Sequence, residues 1–277
     1  MKYIFYTLIF LFLLGFIASC SIERKIARDY IDNDSKGAIL LFTPDYVFKK
    51  SLKEKEVQDA DQYTDAQFDS VLFYRSEFLQ YIDDSVFLEK LVNQYIDEMK
   101  AYGFDIFTQD YIDLFMQQDT TSFVINMAQI ELEEYFYDYE FEEMVGFDTY
   151  TANIPLDAIN CNAWFEIKRV NEKKQGKEQL LFATHYITDD LYGQFRQNVL
   201  TGDVKLEYTV DSLYLEDIYD FAVVLGTEYA MYTFDYLLNR HIDEQIVDEN
   251  YKAQYLQYDP ATGKFFNDLE DGFEVLE

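Results

Sequence analysis

Proline is scarce in this chain, with 3 residues in 277, and glycine nearly so, with 10. That excludes a collagen-like or low-complexity chain and leaves room for long, regular elements joined by few long loops. Histidine occurs twice, at His185 and His241, and neither stands at ligand spacing from the other or from Cys161. A histidine- or cysteine-based zinc centre is therefore not expected. Basic residues are also few: 22 Lys and Arg face 53 Asp and Glu, for a formal net charge of −31. Such a surface repels phosphate backbones and anionic headgroups, so a nucleic-acid role is excluded. The sequence has no Gly-x-Ser-x-Gly elbow, no glycine-rich phosphate loop, no His-Glu-x-x-His and no repeat of 20–50 residues. The machinery of nucleophilic, nucleotide-dependent and zinc-dependent catalysis is thus missing, and a solenoid is not indicated.

What the chain does have is apolar and aromatic material. Hydrophobic residues make up 49% of it, including 25 Tyr and 25 Phe. That is enough to build a core, so the acidity belongs to a charged shell around a folded body and not to a disordered chain. Cofactors are not expected. Asp32-Asn33-Asp34-Ser35-Lys36-Gly37 imitates the start of a calcium loop. It places Lys36 where an oxygen ligand is needed and Thr43 where the closing glutamate belongs. Weak, non-specific divalent-cation binding to the acidic shell is the expectation, with no dedicated metal site.

The N-terminus is the most specific segment. Lys2 precedes an apolar run from Tyr3 to Ile17, which ends in Ile17-Ala18-Ser19-Cys20. The run falls short of the ~20 residues that a helical span needs, and it has the charged start and small-residue end of a secretory signal. Ile17-Ala18-Ser19-Cys20 resembles the lipobox of bacterial lipoproteins. The resemblance covers residues 1–21 only. It implies cleavage before Cys20, acylation of that cysteine, and attachment to a membrane through at least two acyl chains, the number that makes anchoring stable. Low proline, abundant tyrosine and the lipobox together are similar in style to envelope lipoproteins of Bacteroidota. Ser21 and the mixed-charge run Ile22-Glu23-Arg24-Lys25 then imply the outer membrane, with the periplasm-facing side favoured over the cell surface. If Cys20 carries lipid, Cys161 is left alone, and its alternating surroundings indicate a buried structural thiol.

The remaining segments give an α+β expectation: an antiparallel sheet packed by several helices, with a long helix near residues 215–246. Residues 1–19 form the signal peptide, 20–36 a tether, 37–250 the globular domain with a sub-boundary near 145–155, and 251–277 a short hairpin and acidic tail. Ala38 to Phe42 has the length and ends of a buried strand. Thr64-Asp65-Ala66-Gln67 is a capping box that opens a helix, and Ser85 to Tyr102 forms a second, capped by Gly103. Ser122 to Glu140 and Ala158 to Val170 alternate as strands, joined in one antiparallel set by Gln179 to Ile187 and Lys205 to Leu213. Leu215, Ile218, Ala222, Leu225, Tyr229 and Tyr232 keep helical spacing. Gly226 interrupts that helix at a cost of up to ~1 kcal/mol relative to Ala, which a close helix–sheet contact would explain.

One cluster carries functional content. Tyr135, Tyr137 and Tyr139 alternate with Phe136, Asp138 and Glu140, so in a strand the three tyrosines share a face. They either pack beneath the helices or form a partner or ligand surface, for which tyrosine's flat body and polar tip are suited. Three functions follow as expectations. The first is a non-catalytic accessory lipoprotein of the envelope that binds protein partners at a membrane face. The second is a solute-binding lipoprotein for glycan or peptide. The third is a carboxylate-dependent hydrolase, resting on generic pairs such as Glu131 and Glu133 or Asp189 and Asp190.

Overall fold

The computed structural model describes residues 21–33, 36–54, 57, 62–118, 121–170, 179–246, 251–267 and 272–276. Cys20 and the leader before it lie outside the described residues. Among the described residues no helix is long and apolar enough to cross a membrane.

The fold is α+β, and it is organised by one very long hairpin. Strand β4 (Ser122–Val145) pairs antiparallel with β5 (Asp148–Arg169) from Phe123↔Arg169 to Val145↔Asp148. Residues 145–155 therefore hold the turn of this hairpin and the start of β5. The burial phase of β4 changes once. Phe123, Ile125 and Met127 are buried, and then Ile130 and Leu132, because a bulge between Met127 and Gln129 shifts the register. An extra residue on one strand moves every later side chain to the other face. The same phase change is visible in the sequence.

Strand β6 (Leu180–Thr188) continues the sheet antiparallel to β5, and β9 (Glu274–Leu276) closes that edge against β6. The acidic C-terminus thus contributes a strand to the main sheet. On the other edge the sheet is parallel. Strand β1 (Gly37–Phe42) runs parallel to both β4 and β3 (Phe104–Thr108), and β2 (Phe48–Ser51) runs parallel to β4 beyond it. The sheet is therefore mixed, with an antiparallel set at its centre and three parallel strands at one side. Strand β8 (Val204–Asp211), expected in the main sheet, pairs instead with β7 (Asp190–Gln197) as a separate ribbon. Both ribbon strands are largely exposed, so neither had a buried face that would recruit it to the core.

Helices cover one face of the sheet. The long helix expected near 215–246 is α5 (Leu215–Gln245), which packs on α3 (Asp84–Ala101). Together they bury Tyr95, Tyr229, Phe165, Ile125 and Met127 in a single core. Helix α2 (Asp65–Arg75) opens with the Thr64/Gln67 capping box. The segment expected as a tether contains α1 (Ile22–Ile31), which docks on α5 with Ala27 fully buried. The short α4 (Ile112–Phe115) lies apart from this layer and packs Phe115 with Ala38 and Leu40. Gly226 does face a close contact, but the partner is a helix. A Cβ there would lie 2.5 Å from the Leu91 carbonyl oxygen and 2.8 Å from the Gln94 Cβ. Glycine lets α5 and α3 approach backbone to backbone.

Candidate functional site

Tyr135, Tyr137 and Tyr139 are not under the helices. The bulge sets Ile130, Leu132 and Glu134 toward the helical layer, so the odd-numbered residues that follow point to the opposite, open face. There Tyr137 stacks on Tyr186 of β6 with centroids 5.4 Å apart and lies 6.4 Å from Tyr139. A hydrogen bond with the Tyr186 hydroxyl holds the Tyr137 phenol above its ordinary pKa. Burial, followed by the neighbouring Tyr186 and Tyr137 phenols, raises Tyr135 in the same way. Tyr186 is 54% exposed.

Apart from Glu131 and Glu133, the residues that adjoin this cluster were not expected from the sequence. Next to the tyrosines, the open face carries a network of amides, carboxylates and a hydroxyl contributed by three adjacent strands. The Asn162 and Asn160 side-chain amides donate to Glu133 Oε2 at 2.9 and 3.2 Å. The Asn160 amide also lies 2.9 Å from Asn162 Oδ1. The Thr184 hydroxyl reaches both asparagine carbonyls at 2.9 Å. Glu131 joins at 3.5 Å from Asn162 and from Gln129. Beyond the network on the far side, Trp164 and Phe182 pack with centroids 5.2 Å apart. Strand β2 adds Phe48 and Lys50 as register partners of Glu131 and Glu133.

The result is a polar centre with aromatic rings on three sides. Four strands spaced ~4.8 Å apart make it roughly 15 Å wide. Each polar group is held by its neighbours, so the surface is preorganised. The signal for it was present in the alternation of β5: Asn160, Asn162 and Trp164 hold one phase, and Cys161, Ala163 and Phe165 the buried other.

The other residues singled out in the sequence are placed as follows. Cys161 is fully buried against Tyr229, whose hydroxyl donates to Sγ at 3.6 Å. Burial pushes its thiol up to about 12, outweighing that bond, so it is inert as a nucleophile. His185 stacks on Tyr232, and the His241 ring lies tilted against Tyr30. Among the described residues no group of three or more His, Cys, Asp or Glu side chains is arranged for a metal ion. Of the carboxylate pairs, Asp189 is buried and accepts the Leu213 and Asp157 backbone N–H groups at 2.9 Å. It is a structural clamp at the start of the ribbon.

A second charged group is wholly structural and was also not foreseen. Glu134 and Lys53 are buried as an ion pair 2.9 Å apart, with Asp157 as the second partner of Lys53. Burial pulls the Lys53 ammonium down, but hydrogen bonds to Asp157 and Glu134 raise it above its ordinary value, so it stays charged.

Two hairpin tips stand out for exposure. Phe147 at the β4–β5 turn is fully exposed, and Val199 and Leu200 at the β7–β8 turn are 96% and 94% exposed. The two turns are linked near their ends, where the Phe195 N–H donates to Glu143 Oε2 at 2.6 Å and the Phe195 ring packs near Phe141 and Tyr150. No family model matches this chain, and no curated protein shows significant similarity to it.

Proposed function

We propose that this chain is a non-catalytic binding protein of the bacterial envelope, that its open sheet face is the recognition surface, and that its ligand is a glycan. Acylation at Cys20 would hold it at the periplasmic side of the outer membrane, where confinement raises its effective concentration for ligands at the same surface. One observation carries the ligand class: the hydrogen-bonded centre of Glu133, Asn160, Asn162 and Thr184, bordered by Tyr137, Tyr186, Trp164 and Phe182. Sugars present hydroxyl rims and flat C–H faces. Carboxylates and amides in fixed positions match the first, and aromatic planes the second. A protein interface has the reverse layout, with an apolar centre and a polar rim. The bonds from Asn160 and Asn162 also fix Glu133 as an acceptor, which supports binding over hydrolysis.

The test is calorimetric titration of the full chain in detergent with a panel of neutral oligosaccharides. Saturable binding of at least one is expected, weakened about tenfold or more by Tyr186→Ala and by Asn162→Ala and left unchanged by Tyr74→Ala on α2. Absence of binding across the panel, or binding indifferent to the first two changes, would overturn the reading.

A second reading, a protein partner, has its own support in the tips at Phe147, Val199 and Leu200. Apolar side chains this exposed on adjoining turns fit insertion into a partner's groove. Under that reading a Phe147→Ser/Leu200→Ser chain loses a co-purifying envelope protein that the unaltered chain retains.

A further inference from the structure

A cavity of about 570 Å³ opens far from the glycan surface, roughly 23 Å along β5 from Asn162 to Arg169 at ~3.3 Å per residue. That volume lies within the range of small-molecule sites. It forms where five segments converge: the end of α1, the entries to β1 and β4, the last residue of β5 and the final turns of α5. Its floor is fixed by Gly37, whose φ is +123° and whose missing Cβ would lie 2.2 Å from the Thr121 carbonyl oxygen. No other residue type lets those two segments meet.

The charge of the lining is opposite to that of the chain. Acidic residues outnumber basic ones by 53 to 22 overall. The cavity wall instead carries Lys36, Arg169 and Arg240 against a single carboxylate, Glu244. The ends of two helices account for part of this. Lys36 Nζ donates to the Ile31 and Asn33 carbonyls at 3.3 and 2.8 Å, closing the C-terminus of α1. They do not account for Arg169, which comes from a strand. Its Nη1 lies 2.6 Å from Glu244 Oε2, while Arg240 Nε approaches Oε1 at 3.5 Å. Two guanidiniums thus converge on one carboxylate at the cavity wall, and a guanidinium is the group best matched to carboxylate and phosphate oxygens. Beside them the His241 and Tyr30 rings lie 4.7 Å apart. Burial holds His241 below its ordinary pKa against the pull of Glu244, so at neutral pH the imidazole is uncharged and adds no cation to the count.

We infer that this cavity is a binding site for a small organic anion of the phosphate-monoester or carboxylate type, held by Arg169, Arg240 and Lys36. The site is independent of the glycan reading and stands or falls separately. In it Glu244 is an internal competitor: it engages the two arginines and gives them up, in part, to the ligand.

That role yields a test that loss of folding cannot imitate. The full chain in detergent is titrated by calorimetry with phenyl phosphate, benzoate and inorganic phosphate, at an ionic strength held constant with sodium chloride. Saturable binding of at least one organic probe is expected. Arg169→Gln/Arg240→Gln should weaken it about tenfold or more, and Arg196→Gln on the distant ribbon should leave it unchanged. Glu244→Gln should strengthen it several-fold, because the competing charge is gone while the arginines remain. If the double arginine variant does not fold, the Glu244→Gln arm decides alone. Failure of all three probes to bind, unchanged affinity in the double variant, or unchanged or weaker affinity in Glu244→Gln would overturn the inference.

Discussion

Removing the Glu134 carboxylate should unfold a large part of this protein's stability reserve. Its side chain has no solvent exposure. One oxygen accepts the Glu77 N–H at 2.8 Å, and the other accepts Phe78 and Leu79 at 3.1 and 3.3 Å. Lys53 Nζ lies 2.9 Å away and sits 4.7 Å from the centroid of the Phe136 ring. Glu134→Ala therefore strands three backbone donors and leaves a buried ammonium with Asp157 alone. Breaking a buried pair from one side costs about 3–5 kcal/mol. The backbone donors lost with it add to that figure less than additively. A loss of about 4–6 kcal/mol is expected, against total stabilities of ~5–15 kcal/mol for folded domains. Glu134→Gln keeps the shape but turns an amide N–H₂ toward donors, and should lose about 3–5 kcal/mol. Lys53→Met removes the cation while Glu134 keeps its three N–H partners, so it should cost less, about 2–3 kcal/mol. Urea unfolding followed by circular dichroism measures all three. A Glu134→Gln protein within 1 kcal/mol of the unaltered chain would refute the clamp, as would a Lys53→Met protein less stable than Glu134→Ala.

Two further predictions concern helix α5. Gly226→Ala gains ~1 kcal/mol of helix propensity but drives a methyl group into the Leu91 carbonyl. Overpacking against backbone should prevail, for a net loss of about 1–3 kcal/mol and a melting temperature lower by several degrees; a higher one would contradict the contact. Asp235 is buried, accepts the Tyr258 N–H at 2.9 Å and has its carboxyl raised by burial to about 7. The folded state thus holds this proton more tightly than the unfolded one. Its contribution is most favourable below the unfolded value near 4, is lost as pH rises toward 7, and is flat above. Asp235→Asn should reduce the stability difference between pH 5 and pH 8 by about 2–3 kcal/mol, read from urea midpoints at the two values. Equal differences in both proteins would refute it.

Elements that announce themselves locally were legible in the sequence. The Thr64/Gln67 box, the long stripe of α5 and the alternation of β4 each rest on neighbouring residues, and the structure has all three. What escaped depends on distant partners. Strand β2 joins the sheet by parallel pairing with the middle of β4, and Phe48 to Ser51 has no apolar alternation to mark it. Strand β7 buries neither face fully and its sequence lacks the period that signals a strand, whereas β8 alternates and is legible as a strand, but not its pairing with β7. Gly226 signals a close contact, but one residue cannot say which element approaches it. The tyrosine cluster stands out in the sequence, but the side of the sheet it occupies does not. That face was decided by the bulge after Met127, together with which side of the sheet the helices chose. Asn160, Asn162 and Thr184 stayed hidden because polar residues on a strand look the same whether they face water or a ligand.

The most direct measurement is an isotope-labelled titration of the chain with whichever oligosaccharide binds, following backbone and asparagine side-chain amide signals. Recognition on the open face predicts that the shifts concentrate at Asn160, Asn162, Thr184 and Tyr186 on β5 and β6. Shifts confined to the turns at Phe147 and Leu200, or scattered without reference to those four residues, would contradict it.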